Sequence, residues 1–441
     1  MIAGSRFLRF ALLTLLLCVA WCAQAQAAAV QETGYITMSD GVKLRYAVEL
    51  PAGAGRFPVA LKYDGYCEGT NPMGCNGTTD SSALLAAGYA VLGVNVRGTG
   101  CSQGQFDLRN PVENTDGAAV VEWAARQSWS TGHVGMFGDS FPGVTQPGVA
   151  ALHPAGLDAI APWQIVDDVY RDVGYPGGAA NGEFGAFWGL ADQPAASNIS
   201  VVQGTEAGDP QCAQSEADHT ATNLTTNIFV SGLQHPYIDS YWNSKTVGAA
   251  ASKVSVPAFG CATWQDDEVG SRSTWTLWPR LNPARTWVVV ANGYHSMCIE
   301  STRIINQLVR FFDRFVKGEQ NGFETTPHTQ SWHDTTSTTD AEPRWVTNSS
   351  SWPPATETNR LYLGTAAVLT PAPPKGTEPA DSYASPTVSA GTEDGVVFGQ
   401  QNTLWKQPGA SGGGFHDEVP RMDGPGGGLG AERGGGEDRV L

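Results

Sequence analysis

Short, nearly continuous apolar runs alternate with amphipathic stretches over much of this chain. Apolar runs of about four to eight residues are typical of strands buried on both faces. The predicted strands are Phe57–Lys62, Tyr89–Val96, His133–Phe137, Leu157–Ala161, Val256–Cys261 and Thr286–Ala291, and the predicted helices include Thr79–Ala87 and Asp116–Arg126. Strands that alternate with helices predict an α/β protein whose mainly parallel sheet is covered on both faces.

Two segments depart from this alternation. Gly34 to Leu50 alternates apolar and polar residues on both sides of Ser39-Asp40-Gly41, a pattern that predicts a β-hairpin. From 164 to 253 the chain is rich in Trp, Tyr, Gly, Asn and Asp and contains no clear strand, and the alternation resumes afterwards. We therefore expect one sheet domain in two parts, 30–163 and 254–324, interrupted by an insertion that covers the carboxyl edge of the sheet.

The composition changes after residue 324. Residues 325–408 are rich in Ser, Thr and Pro and contain short alternating runs, which favours a partial all-β domain. Residues 409–441 are rich in Gly and charge and contain few apolar residues. Such a composition cannot support a packed core, so we expect this tail to be disordered and dispensable for stability and activity.

Residues 1–29 have the organisation of a secretory signal peptide. Arg6 and Arg9 precede an apolar run from Phe10 to Cys22, and an Ala-x-Ala motif follows from Ala25 to Ala27. The apolar run is shorter than a typical membrane-spanning helix. We therefore expect a secreted or periplasmic protein whose mature form has no membrane span.

Charge and cysteine content narrow the possible functions. The net charge is −17 and no cluster of Lys and Arg is present, which argues against nucleic acid as a partner. Outside the signal segment the cysteines are Cys67, Cys75, Cys101, Cys212, Cys261 and Cys298. An even number in an exported chain suggests up to three disulfides and leaves fifteen pairings open. Their spacing is not that of metal ligands, so we expect no metal site. We also expect that no organic cofactor is required.

Two segments resemble the GxSxG turn that carries a nucleophilic serine. Gly100-Cys101-Ser102-Gln103-Gly104 matches the letters, and the segment Gly138 to Gly143 is a variant with Ser140 at its third position. The chemistry requires a strand, a sharp turn and a helix, which together expose the hydroxyl at the sheet edge. Ser140 has this context, whereas Ser102 lies in a Gly-rich loop. We predict that Ser140 is the nucleophile and that Ser102 supports a turn.

A serine hydroxyl needs a base to take its proton and an acid to orient that base. In α/β-hydrolases the nucleophile, acid and base follow successive strands in this order. His295 lies just beyond the predicted strand Thr286–Ala291, and the strand before it leads into Asp266, Asp267 and Glu268. We predict His295 as the base and Asp266 as the acid, with Asp267 and Glu268 as alternatives for the acid.

These and further motifs resemble the CocE/NonD-type serine hydrolase family, which contains bacterial cocaine esterase, α-amino-acid ester hydrolases, glutaryl acylases and X-Pro dipeptidyl-peptidase. The resemblance runs from about Gly34 to Trp405. Its marks in chain order are Arg97-Gly98-Thr99-Gly100-Cys101-Ser102-Gln103-Gly104, Glu122-Trp123, Trp129-Ser130-Thr131-Gly132, Val134 to Ser140, Tyr170-Arg171, Pro176-Gly177-Gly178, Trp264-Gln265-Asp266 and His295-Ser296. The chain is identified as a secreted bacterial member of this family.

The resemblance implies an architecture and an oxyanion hole. The implied fold is an α/β-hydrolase sheet with an inserted, mostly helical cap, followed by a truncated jelly-roll-like β domain. In this family a Tyr hydroxyl and the backbone N–H after the nucleophile hold the oxyanion. Phe141 would supply the N–H, and Tyr66 fits the tyrosine position better than Tyr63.

The implied reaction is hydrolysis of an ester or amide acyl bond through an acyl-enzyme, with a small acyl ester, amide or peptide as substrate. A first alternative is an X-Pro dipeptidyl exopeptidase, which needs carboxylates to bind a free α-amino group. Asp267, Glu268 and Asp168 are the candidates for this role, and His235 is a further candidate in the substrate pocket. A second alternative is a non-catalytic secreted binding protein on the same scaffold, but the ordered Ser, Asp and His argue against it.

Overall fold

The computed structural model describes residues 30–373 apart from 68, 70–77, 207, 267, 270–271, 334–340, 355–359 and 365–367. The predicted signal peptide, the Gly-rich tail and the predicted β segment beyond 373 lie outside the described residues, so the expectations about them stay predictions. Among the described residues, no helix is long and apolar enough to cross a membrane.

One mixed sheet forms the centre of the molecule. Its strands are β1 Val30–Thr37, β2 Lys43–Leu50, β3 Phe57–Asp64, β4 Ala90–Asn95, β5 Ser130–Asp139, β6 Leu157–Trp163, β7 Ala258–Thr263, β8 Thr286–Ala291, β9 Thr329–His333 and β10 Trp345–Ser349. They lie in the order β1-β2-β4-β3-β5-β6-β7-β8-β9-β10, and neighbours from β4 to β9 are parallel. The antiparallel hairpin β1–β2 and strand β10 close the two edges. This is the mainly parallel sheet that the apolar runs predict.

The α-helices lie between these strands or in the inserted segment. They are α1 Thr79–Ala86, α2 Pro111–Ala125, α3 Phe141–Ala150, α4 Gly182–Phe187, α5 Gln193–Glu206, α6 Pro210–Thr226, α7 Ile228–Gln234, α8 Ser240–Asn243, α9 Arg272–Thr276, α10 Met297–Glu300 and α11 Thr302–Phe315. Single helical turns occur at Tyr170–Gly174, Pro176–Gly178, Trp188–Asp192, Gly248–Lys253, Trp278–Arg280, Pro283–Arg285 and Phe323–Thr325. A short separate pair, β11 Tyr362–Gly364 and β12 Val368–Thr370, follows the central sheet.

The sheet is buried on both faces. Successive strand residues point to opposite faces, and on β5 the neighbours Met136 and Phe137 belong to two different apolar cores. Helix α11 covers the Phe137 side with apolar residues at helical spacing, and Phe312 meets Phe137 edge to face. Because both faces of the sheet are covered, a site can form beyond the carboxyl ends of the parallel strands.

The segment that starts at 325 does not begin a separate domain, contrary to the prediction from the sequence. β9 pairs in parallel with β8, and β10 returns antiparallel beside β9. Trp332 of β9 packs in the same core as α11. A short alternating run predicts a half-buried strand but does not specify which strand will pair with it. The jelly-roll-like domain, of which only β11 and β12 are among the described residues, stays a prediction.

The inserted segment 164–253 is mostly helical and is fastened to the loop after β4 and to the hairpin β1–β2. Asp209 accepts hydrogen bonds from the Tyr35 hydroxyl at 2.8 Å and pairs with Arg45 at 2.9 Å. His219 Nε2 donates to the Ser102 carbonyl at 2.9 Å, and Ser215 Oγ donates to the Cys101 carbonyl at 3.0 Å. These contacts hold the insertion as a cap beside the sheet.

Two disulfides join segments that are distant in the sequence. Cys101–Cys212 links the loop after β4 to α6 across 111 residues, and Cys261–Cys298 links β7 to α10 across 37 residues. Cys67 is also disulfide-bonded, and Cys75 lies outside the described residues. The first bridge therefore ties the cap to the sheet domain, and the second ties β7 to the short helix that follows the loop after β8.

Candidate active site

Ser140 lies on a sharp turn between β5 and α3. Its backbone φ is 62° and its ψ is −126°, a conformation that is strained for a residue with a side chain. Gly143 is required at this turn, because a Cβ there would lie 2.5 Å from the Trp163 carbonyl oxygen. Gly138 has a φ of 141° and would bring a Cβ within 2.6 Å of Pro142. The structure thus has the strand, strained turn and helix expected of a nucleophile elbow.

Asp266 and His295 lie on the loops that follow β7 and β8, at the same edge of the sheet as Ser140. His295 Nδ1 is 3.1 Å from both carboxylate oxygens of Asp266. The backbone N–H groups of Glu268 and Val269 both donate to Asp266 Oδ1 at 3.0 Å. The side chains of Asp266 and His295 are only 2% and 6% exposed, so solvent does not compete for this hydrogen bond.

Three carboxylates influence the charge of His295. Burial lowers its pKa, but Asp266 beside it, with Glu268 and Asp139 farther out, outweighs this effect and holds the pKa well above 6.5. Glu268 lies 3.6 Å from Nε2, the nitrogen that faces away from Asp266. Burial raises the pKa of Asp139 to about 7, and the positive charge of His295 opposes that rise. Asp139 directly precedes Ser140 in the chain, so the charges of His295 and of the residue before the serine influence one another.

The two candidate oxyanion tyrosines occupy different environments. Tyr63 is fully buried, donates its hydroxyl to the Glu113 carbonyl at 3.2 Å and is not among the residues that line the cavity beside Ser140. Tyr66 lies in that cavity, and its ring meets the Phe141 ring edge to face. Its hydroxyl accepts a hydrogen bond from the indole N–H of Trp188 at 2.9 Å. Phe141 is the first residue of α3, where backbone N–H groups have no partner within the helix.

Ser102, the literal GxSxG match, is fully buried. Its hydroxyl accepts from the Arg45 backbone N–H and donates to the Asn95 carbonyl, each at 2.8 Å. Both groups belong to the adjacent strands β2 and β4. The Ser102 hydroxyl therefore fastens the loop after β4 to these two strands, which is a structural role.

A narrow apolar cavity of about 50 Å³ opens beside Ser140. Apart from Ser140 and Tyr66 it is lined by Leu108, Phe141, Val144, Val166, Val169, Val173, Trp188 and Val269. A cavity of this size holds a few water molecules, so the acyl group that fits it without rearrangement is short and uncharged.

Three arginines hold the cap wall of this cavity through a hydrogen bond and two partly exposed ion pairs. Arg109 is buried and donates to the Val166 carbonyl at 2.7 Å, and Arg280 pairs with Asp167 at 2.7 Å. Asp172 accepts from the backbone N–H groups of Asp167 and Asp168 and pairs with Arg272 at 2.6 Å. Because the backbone from 166 to 173 is held in this way, the valines on it keep a fixed position over Ser140.

The four predicted substrate-binding residues differ in their position relative to the candidate triad and in their contacts. Glu268 is partly exposed and lies beside His295, whereas Asp267 lies outside the described residues. Asp168 is buried and pairs with Arg171. His235 bonds Asp239 at 2.6 Å and stacks on Tyr241, so it contributes to packing within the cap. Of the three that are described, Glu268 alone lies against the candidate triad.

The sequence did not single out Trp188 or Gln164, which both contact the candidate site. Trp188 is one of several aromatic residues in the cap, and nothing local distinguishes it. Gln164 directly follows β6, and its amide group reaches the loops that carry Asp266 and His295. Its position just beyond a strand end was the one signal that could have suggested a role.

Comparison with known proteins agrees with this geometry. Residues 40–297 match the family model described as X-Pro dipeptidyl-peptidase (S15 family). Cocaine esterase from Rhodococcus sp. (strain MB1 Bresler) is 27% identical over 400 residues, which cover 79% of this chain and 66% of that protein. This chain therefore spans slightly less than two thirds of the length of that relative.

Solved structures agree with this assignment. A CocE/NonD family hydrolase from Staphylococcus aureus is 25% identical with a TM-score of 0.61, covering 76% of this chain and 59% of that one. An α-amino acid ester hydrolase, 20% identical, shares the fold with a TM-score of 0.59 over 81% of this chain and 65% of that one. The family match covers more than half of this chain and includes the segments that carry Ser140, Asp266 and His295. The chain belongs to the X-Pro dipeptidyl-peptidase (S15) family and has the α/β-hydrolase fold of its CocE/NonD-type relatives.

Proposed function

We propose that this protein hydrolyses short acyl esters or amides, with Ser140 as nucleophile, His295 as general base and Asp266 as the acid that orients it. The observation that carries this proposal is the buried Asp266–His295 pair at the sheet edge where Ser140 occupies a strained elbow. The carboxylate fixes the imidazole with Nδ1–H toward Asp266, which leaves Nε2 to accept a proton.

In the proposed first step His295 Nε2 takes the Ser140 proton while Oγ attacks the carbonyl carbon of the substrate. The negative charge that develops on the carbonyl oxygen is met by the Phe141 N–H and the Tyr66 hydroxyl. The Trp188 indole N–H donates to the Tyr66 oxygen and thereby helps to orient the hydroxyl, which in this step donates its proton to the oxyanion. The tetrahedral intermediate then collapses, and the leaving group departs with the proton from His295.

Water completes the reaction in the proposed second step. His295 takes a proton from a water molecule, which attacks the acyl carbon, and the carboxylic acid leaves as Ser140 regains its proton. Asp266 stabilises the imidazolium in both steps. The apolar cavity of valines and aromatic rings favours an uncharged, short acyl group over a charged or long one.

A second candidate function is removal of X-Pro dipeptides, and the position of Glu268 favours it. Its carboxylate is 39% exposed and lies 3.6 Å from His295 Nε2, so it could bind the free α-ammonium group of a peptide beside the scissile bond. The name of the matching family is consistent with this activity.

Kinetics on paired substrates distinguish the two candidates. The purified full chain would be assayed with p-nitrophenyl acetate and butyrate, and with Ala-Pro-p-nitroanilide and its N-acetyl derivative. The esterase proposal predicts that the short esters have the highest kcat/KM and that Glu268→Gln changes it little. If the protein prefers Ala-Pro-p-nitroanilide with a free amine over its N-acetyl form, and if Glu268→Gln removes this preference, the peptidase is favoured. Absence of turnover on all four substrates by folded protein would contradict both.

We also propose that the protein is exported. The signal-like residues 1–29 and the disulfides Cys101–Cys212 and Cys261–Cys298 support export, since such bridges persist in oxidising compartments. Expression of the full chain in a bacterial host, followed by cell fractionation and N-terminal sequencing, tests this. Uncleaved protein confined to the cytoplasm would contradict it.

A further inference from the structure

Gln164 has an unusual backbone for a buried residue with a long side chain. It follows β6 at the point where the chain leaves the sheet for the cap, and its φ is 44°. It is 2% exposed, and its backbone N–H donates to the Cys261 carbonyl of β7 at 2.9 Å. A residue with a side chain is strained in the left-handed region, so other contacts must hold Gln164 there.

Those contacts come from its amide nitrogen. Gln164 Nε2 donates to the Thr263 hydroxyl and to the Tyr294 carbonyl, each at 2.9 Å, and lies 3.4 Å from Asp266 Oδ2. The Thr263 hydroxyl in turn donates to the same Tyr294 carbonyl at 3.2 Å. Thr263 ends the strand that leads to Asp266, and Tyr294 directly precedes His295. One amide group therefore connects the acid loop to the base loop.

The orientation of this amide is determined by its surroundings. Gln164 Oε1 is buried and has no hydrogen-bond partner among the described residues. If the amide were turned over, Oε1 would face the Tyr294 carbonyl and the Asp266 carboxylate, and oxygen would oppose oxygen. An unpaired buried acceptor is unfavourable, but the turned arrangement would lose both N–H bonds and add repulsion. The side chain is thus kept as a donor toward the two loops.

We propose that Gln164 is a positioning residue that holds Asp266 and the backbone of His295 in the geometry needed for proton transfer. This inference rests on the proposed function of the triad. Asp266 Oδ1 has two backbone donors from its own loop, whereas Gln164 Nε2 approaches the other carboxylate oxygen, Oδ2, from the segment that follows β6. Without it the carboxylate can rotate about its Oδ1 contacts, and the Tyr294 carbonyl loses its strongest restraint.

Gln164→Met is the direct test, because Met has a similar volume and no N–H donor. We expect kcat on a short p-nitrophenyl ester to fall about 10- to 100-fold, with KM changed by less than about twofold, since the substrate cavity does not include Gln164. Gln164→Gly is the second variant: it removes the amide but relieves the backbone strain at φ 44°, so it should lose kcat without a matching loss of stability. Gln330→Met is the matched control, because this buried glutamine bonds Gln307 instead of the site.

A double-mutant cycle separates positioning from a general structural effect. In the Asp266→Asn background the acid can no longer orient His295, so Gln164→Met should cost less than about threefold there. Three outcomes would overturn the inference. The two losses in kcat could be fully additive, the loss from Gln164→Met could appear mainly in KM, or both folded Gln164 variants could keep wild-type kcat. If wild-type protein hydrolyses none of the substrates, the proposed function fails instead, and the two failures are therefore distinguishable.

Discussion

Loss of the Cys101–Cys212 disulfide should lower stability more, whereas loss of the Cys261–Cys298 disulfide should lower activity more. The perturbations are the double substitutions Cys101→Ala with Cys212→Ala, and Cys261→Ala with Cys298→Ala. Both bridges are buried, so alanine avoids leaving a polar hydroxyl in the core. The first bridge joins cap to sheet, whereas the second joins the strand before Asp266 to the helix just after His295.

The expected stability losses follow from the lengths of chain that the bridges close. A crosslink restricts the unfolded chain more when its loop is longer. Loops of 111 and 37 residues correspond to about 5 and about 4 kcal/mol of unfolding free energy at 25 °C. The Cys101/Cys212 variant should therefore be less stable than the Cys261/Cys298 variant by about 1 kcal/mol.

The Cys261/Cys298 variant should lose more activity than the Cys101/Cys212 variant. Without Cys101–Cys212 the cap is still held by Asp209 and by the Asp167–Arg280 pair, so kcat at 25 °C should fall less than about threefold. Without Cys261–Cys298 the acid and base loops lose a covalent restraint, and kcat should fall about tenfold or more.

Denaturant unfolding and kcat on a short ester, both at 25 °C, provide the two measurements. Wild-type protein treated with a reductant is a further comparison, because it should combine both effects with the loss of the bridge at Cys67. A larger kcat loss in the folded Cys101/Cys212 variant than in the Cys261/Cys298 variant would refute the reasoning about where each bridge acts.

Three further predictions concern single groups. In the proposed mechanism neutral His295 is the active form, and its pKa is held well above 6.5. A pH series should therefore show kcat/KM rising through one ionisation with a midpoint above 6.5; a flat profile or a lower midpoint would contradict this. Tyr66→Phe should lower kcat about 10²- to 10³-fold with little change in KM, and near wild-type turnover would exclude its hydroxyl from the oxyanion hole. Ser102→Ala should reduce the unfolding free energy by about 1–3 kcal/mol, because the Arg45 N–H and the Asn95 carbonyl lose their partner, while kcat stays near wild type.

The positions of the candidate nucleophile, acid and base at one end of the sheet could be predicted because their signals are local and ordered. A short apolar strand followed by a Gly-rich turn identifies the elbow at Ser140, and the last two parallel strands before α11 lead directly to Asp266 and His295. Parallel strands bring their carboxyl ends to one edge, so order along the chain becomes proximity in space. Tyr66 could be preferred over Tyr63 only through resemblance to the family.

Features that depend on tertiary contacts could not be predicted. Trp188 meets Tyr66 across 122 residues, and Gln164 meets Tyr294 across 130 residues, so no local pattern indicates either contact. The cysteine pairings remained open for the same reason. Asp168 shows the same limit from the other side: an acidic residue in the cap suggested substrate binding, and only the fold shows that its carboxylate pairs with Arg171.

The measurement that most directly tests the account is active-site labelling of the purified chain with a fluorophosphonate, followed by peptide mass mapping. A serine that is activated by a neighbouring base reacts with this reagent, whereas an ordinary hydroxyl does not. The account predicts one modified residue, Ser140, with labelling that increases with pH and is abolished in Ser140→Ala and His295→Ala, both of which should remain folded. Labelling of a different serine, or no labelling of folded wild-type protein that hydrolyses esters, would contradict it.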